Sequence, residues 1–149
     1  MPNRQTHIDA GAIAGTLTAL VLAGRPSGAI LMAELAGGML GGALGGAMPD
    51  VLEPATSPDH RKLAHSLVTA GALTLAKVTD WQAECRRQAA AQRQSSVRFL
   101  PGSRERSDAE LAAIWWSFLA GLIAGFVAGY ASHLALVAAT PRSLPFIGL

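Results

Sequence analysis

The chain has 149 residues, of which half are hydrophobic and 15% are charged, with 16 glycines and a net charge of +2. Soluble domains are usually about one quarter charged, and disordered chains are poor in hydrophobic residues, so the composition argues against both classes. The single cysteine, Cys85, excludes an internal disulfide and a zinc site built from several cysteines.

Four windows of the chain are long, apolar and nearly free of charge: residues 8–23, 28–48, 63–78 and 111–139. A bilayer core about 30 Å thick needs about 20 helical residues, which the second and fourth windows supply. The first and third need flanking residues or local thinning of the bilayer. We therefore expect an all-α integral membrane bundle of four transmembrane helices, with residues 1–149 forming one domain. A compact soluble bundle rich in Ala and Gly is the alternative.

The first window also has the composition of a secretory signal peptide, with Arg4 ahead of the apolar stretch. No clean A-x-A cleavage site follows it, so we expect this segment to remain in the mature protein.

Residues 80–110 form a polar segment, predicted to be partly helical, between the third and fourth windows. Pro101-Gly102 predicts a turn, and Ser107 with Glu110 predicts the start of the last helix. The segment carries six arginines, which are not interleaved with a series of aromatic side chains. This pattern favours a cytoplasmic face on acidic membrane lipid over nucleic-acid binding.

Glycines recur every fourth residue along two of the windows. They form three ridges: Gly37, Gly41 and Gly45; Gly38, Gly42 and Gly46; and Gly121, Gly125 and Gly129. In a membrane this spacing lets helix backbones approach closely. The ridges predict close packing within one chain, and a homo-oligomer is the other use of the same spacing.

Four crossings would place both termini on one side of the membrane. Eight Lys and Arg residues then lie on the side of residues 80–110 and four on the side of the termini, which predicts a cytoplasmic 80–110 segment. The same topology gathers all the histidines near the outer face, together with several carboxylates. These histidines are His7, His60, His65 and His133.

Imidazoles and carboxylates together are ligands for zinc, manganese or iron, and sites with open positions activate water. Asp50 and Glu53 are three residues apart, so one helical turn would point both the same way. Pro49 and Pro54 flank this pair and predict a short, rigid turn.

The combined pattern resembles a family of small bacterial inner-membrane proteins described as membrane-bound, metal-dependent hydrolases, the YdjM-like group. The resemblance is carried by Thr6-His7, by Pro49-Asp50 with Glu53, by His60-Arg61 with His65-Ser66, by Gly129-Tyr130-Ala131-Ser132-His133 and by Thr140-Pro141. It covers most of the chain except residues 80–110. It implies a bacterial inner-membrane protein with a metal-dependent hydrolase activity. The charge bias above places the metal centre on the outer face, and zinc is favoured over manganese or iron as the metal.

The resemblance also suggests roles for individual residues. The metal ligands would be His7, Asp50, His65 and His133, with Glu53 as general base or further ligand. His60 would bind the metal or support a ligand, and Arg61 would orient an anionic substrate.

Two positions depart from the family pattern. The second acidic residue, Glu53, comes three positions after Asp50, where the family commonly has two. Val137 stands where many members have an aspartate, one turn after His133. The loss of that carboxylate favours one alternative, a non-enzymatic membrane protein with a structural metal site or a scaffold role. A separate alternative is an ion or metal carrier with Glu34 in its pathway. For Glu34, pairing with Lys77 is the simpler expectation.

Overall fold

The computed structural model describes residues 3–24, 28–52, 71 and 78–139, and within these ranges the ordered elements are all helices. We number them α1 (Arg4–Ala23), α2 (Ala29–Leu52), α3 (Thr79–Ser96) and α4 (Arg104–Ala138). The predicted all-α class is therefore confirmed for the described part of the chain.

Three of these helices, α1, α2 and α4, are long and apolar enough to cross a membrane. They correspond to the first, second and fourth apolar windows, and they indicate a membrane protein. The third window, residues 63–78, lies outside the described residues except for Gly71 and Val78, so the prediction of a fourth span stays a prediction.

Glycine ridges set the packing of α2 against its neighbours. A Cβ atom placed on Gly42 would collide with the carbonyl oxygen of Gly11 in α1, and one on Gly41 would collide with that of Leu122 in α4. Since the backbones are already in contact at these positions, only glycine fits. The predicted packing within one chain is confirmed, and self-association stays a prediction.

The order of these contacts fixes the helix directions. Gly11 and Gly15 of α1 meet Gly42 and Gly38 of α2, so these two helices are antiparallel. Gly37, Gly41 and Gly45 of α2 meet residues 118, 122 and 126 of α4, so α2 and α4 are parallel. The N-terminal end of α1 therefore lies beside the C-terminal ends of α2 and α4.

The segment 80–110 is more helical than the sequence predicted. Helix α3 covers residues 79–96 and α4 begins at Arg104, so only residues 97–103 connect them. The predicted turn at Pro101-Gly102 is present, and Gly102 has a positive φ of 80°. The cap was predicted one turn too late, because the Ser103 side chain accepts the first hydrogen bond, from the backbone N–H of Arg106.

Helix α3 packs against α4 through a face that buries Cys85 and Ala89. Burial raises the pKa of the Cys85 thiol. From the same helix, Arg86 donates to the carboxylate of Glu34, which is buried in α2. The described partner of Glu34 is thus Arg86, and Lys77 lies outside the described residues.

Candidate metal centre

Three helix ends bring His7, Asp50 and His133 together. His7 lies in the first turns of α1, Asp50 in the last turn of α2, and His133 near the C-terminal end of α4. One ligand atom from each of the three side chains lies within 4.8 Å of the other two. Residues separated by more than 120 positions in sequence therefore converge on a point that one cation could occupy.

Burial distinguishes the two imidazoles from the carboxylate. His133 is fully buried and His7 is 4% exposed, whereas the Asp50 side chain is 32% exposed. The two rings stack with their centroids 3.9 Å apart. The carboxylate thus forms the solvent-exposed side of the cluster.

A backbone carbonyl fixes the orientation of His133. Its Nδ1 lies 2.7 Å from the carbonyl oxygen of Gly46. Because a carbonyl only accepts, the proton of this contact is on Nδ1, which leaves Nε2 as the ring atom that a metal can bind when the imidazole is neutral. That Nε2 lies 3.7 Å from Oδ1 of Asp50. Histidines that bind metals are commonly held in this way by a hydrogen bond from the other ring nitrogen.

Gly46 allows the convergence. A Cβ atom at this position would collide with the carbonyl oxygen of His7, so a glycine is needed where α1 meets α2. Asp50 follows four residues later on the same side of α2. The sequence pattern indicated a glycine ridge but not the part played by the Gly46 carbonyl, which depends on how α2 and α4 are aligned.

Pro49 does not end helix α2, although the second apolar window stops just before it, and the rest of the predicted turn, from Glu53 on, lies outside the described residues. Helix α2 continues through Pro49 to Leu52, and the proline ring is fully buried. Proline removes one hydrogen bond from a helix, and Pro49 lies within the last turn of α2, where little of the helix follows it. Asp50 is therefore presented by a continuous helix rather than by a loop.

Of the predicted site residues, His7, Asp50 and His133 are brought together. The remaining four lie outside the described residues: Glu53, His60, Arg61 and His65. Asp9, two residues after His7 in α1, is exposed and accepts a hydrogen bond from Gln5 at 2.7 Å. Val137 is buried one turn after His133, at the position where a carboxylate was expected from the resemblance.

No family model matches the chain, and no significant match was found among curated proteins or solved structures.

Proposed function

We propose that this chain is a membrane-bound, metal-dependent hydrolase of the bacterial inner membrane, as its resemblance to the YdjM-like group implies. The observation that carries the proposal is the convergence of His7, Asp50 and His133 from three helices. Two imidazoles and one carboxylate suit a divalent transition metal, of which zinc is favoured and manganese and iron are alternatives.

Three protein ligands leave a coordination position open, which is the arrangement of catalytic rather than structural zinc sites. A metal bound there would lower the pKa of a coordinated water toward neutrality. In the proposal His133, held through Nδ1 by Gly46, offers Nε2 to the metal, and the partly exposed Asp50 faces the side from which substrate enters. The reaction is hydrolysis of an ester or phosphoester.

The position of the site suggests the kind of substrate. Helix α2 ends two residues after Asp50, and α4 ends five residues after His133, so the site lies where the apolar helices end. This location fits an amphiphilic substrate at the bilayer surface. The proposal keeps Glu53 as general base or ligand, His60 and His65 as ligands or their supports, and Arg61 as the group that orients an anion.

The topology proposed with this function has the termini and the metal centre on the outer face and residues 80–110 in the cytoplasm. The bias of Lys and Arg across the predicted membrane sides supports it.

The proposal predicts chelator-sensitive hydrolysis of a phosphodiester or carboxylic ester by the purified protein in detergent. Asp50→Asn should lower the rate by about 100-fold or more, because it weakens both metal binding and water activation. Asp9→Asn is the matched control, since that carboxylate is exposed in α1 and bonds to Gln5, and it should change the rate less than twofold. Equal rates in the two variants would contradict the proposal.

A structural metal site is the second candidate, because the three ligands come from three different helices. A metal there would tie together the ends of α1, α2 and α4. Removing the metal would then lower the unfolding temperature while no ester or phosphoester is hydrolysed by the loaded protein. The ion-carrier alternative has less support, since Glu34 is paired with Arg86.

A further inference from the structure

A groove of about 610 Å³ lies at the opposite end of the bundle from the metal centre. The start of α2, the C-terminal half of α3 and the first turns of α4 surround it. Ala29 and Ile114 contribute apolar surface, Arg93 and Arg106 contribute guanidinium groups, and Glu110 contributes the carboxylate that pairs with Arg106. The groove is therefore amphipathic, with an apolar wall and a polar wall in which the two arginines outnumber the one carboxylate.

The groove lies where the apolar helices leave the membrane. Gly37 of α2 packs on Phe118 of α4, so the first residues of α2 are level with the exposed Trp115. Arg106 precedes Ile114 by two helical turns, or about 12 Å along α4. The headgroup layer on each side of a bilayer is about 5–7 Å thick, and long arginine side chains extend toward such boundaries. The groove thus joins the apolar boundary to the water beyond it.

The two guanidinium groups have donors left for a ligand. Arg106 uses Nε to donate to Glu110 at 2.8 Å, and a guanidinium has four further N–H groups. Arg93 is exposed and forms no ion pair with any of the described residues. Paired guanidinium groups are the usual protein ligands of phosphate, because their planar N–H groups match its oxygens.

We propose that this groove binds the headgroup of an acidic phospholipid, with the phosphate at Arg93 and Arg106 and the upper acyl chain against Ala29 and Ile114. The site is distinct from the proposed hydrolase centre and goes beyond that function. The apolar wall favours a lipid over free phosphate. None of the described residues that line the groove is aromatic, so they give no support for stacking of nucleic-acid bases.

The test uses the full chain in a neutral detergent, titrated with a short-chain phosphatidylglycerol and followed by native mass spectrometry. The double variant Arg93→Gln, Arg106→Gln should weaken binding about tenfold or more, because each charge-assisted hydrogen bond contributes substantially. The matched control is Arg98→Gln, Arg104→Gln, which removes two arginines of the same segment that do not line the groove. The control should bind within about twofold of the unmodified chain.

Three results would overturn the proposal: equal weakening in the control, equal binding of short-chain phosphatidylcholine, or binding of inorganic phosphate as tight as that of the lipid. If the double variant fails to fold, Arg93→Gln alone is the test, since its side chain is exposed. That variant should weaken phosphatidylglycerol binding about threefold or more, and unchanged binding would contradict the proposal.

Discussion

Single charged and polar residues at membrane depth are costly, and two of them in this chain have specific partners. His133 is held by the carbonyl of Gly46, and the buried Glu34 is held by Arg86. The first contact orients a candidate metal ligand, whereas the second connects α3 to α2. Each therefore has a consequence that can be measured separately.

We predict that Arg86→Ala lowers the free energy of unfolding by about 3 kcal/mol, because it leaves the Glu34 carboxylate buried without its described partner. Arg87→Ala is the matched control. The Arg87 side chain is 67% exposed and pairs with the exposed Glu84, so its loss should cost about 1 kcal/mol or less. Unfolding in a denaturing detergent, followed by far-UV circular dichroism, measures both.

A double variant separates the ion pair from other effects. Glu34→Gln with Arg86→Gln removes both charges and should recover part of the loss, since no buried charge remains. Equal destabilisation by Arg86→Ala and Arg87→Ala would show that the Glu34–Arg86 pair does not stabilise the packing of α3 on α2.

At the scale of the helix, close backbone contact between α1 and α2 depends on glycine. We predict that Gly42→Ala destabilises the chain by about 1–3 kcal/mol, since the new methyl group would collide with the carbonyl oxygen of Gly11. Alanine is a better helix former than glycine by about 0.5–1 kcal/mol. The measured loss of stability will therefore be smaller than the energetic cost of the collision. Thermal unfolding in detergent gives the difference.

Ala36→Leu, at an exposed position of the same helix, is the control and should change stability by about 0.5 kcal/mol or less. A Gly42→Ala protein as stable as this control would mean that α1 and α2 are farther apart than described.

The start of α4 supplies a second test at this scale. We predict that Ser103→Ala costs about 1 kcal/mol, because its side chain caps the helix by accepting from the backbone N–H of Arg106. Ser107→Ala should cost less, because the Ser107 hydroxyl lies inside the helix and donates to the Ser103 carbonyl. The reverse order would favour the cap expected from the Ser107 and Glu110 spacing. Unfolding midpoints of the two variants decide between them.

At the scale of the whole molecule, the apolar windows were enough to predict the three long helices, because window length and charge depletion are properties of the sequence. The continuation of α2 through Pro49 was missed, since the apolar window ends just before this residue and proline commonly interrupts a helix. The pairing of Glu34 with Arg86 was missed because it requires the packing of α3, which no local pattern contains.

The candidate site was predictable only in part, because the sequence indicates which end of the bundle a residue occupies but not how the helices are aligned. Counting crossings placed His7, Asp50 and His133 at one end of the bundle, and the structure brings them together. Whether the three side chains come close enough to share a ligand depends on the alignment of α1 and α4 along α2. The glycine contacts determine that alignment. The roles of His60, His65, Glu53 and Arg61 stay predictions.

The most direct test of the metal centre is the transition-metal content of the purified chain, measured by inductively coupled plasma mass spectrometry. X-ray absorption spectroscopy at the absorption edge of the bound metal then identifies its ligands. We expect about one metal per chain, with nitrogen and oxygen ligands at about 2.0–2.2 Å. The His7→Ala, His133→Ala double variant should lose most of that metal, whereas Asp9→Asn should retain it. Metal content that is unchanged in the double variant would contradict the proposed metal centre.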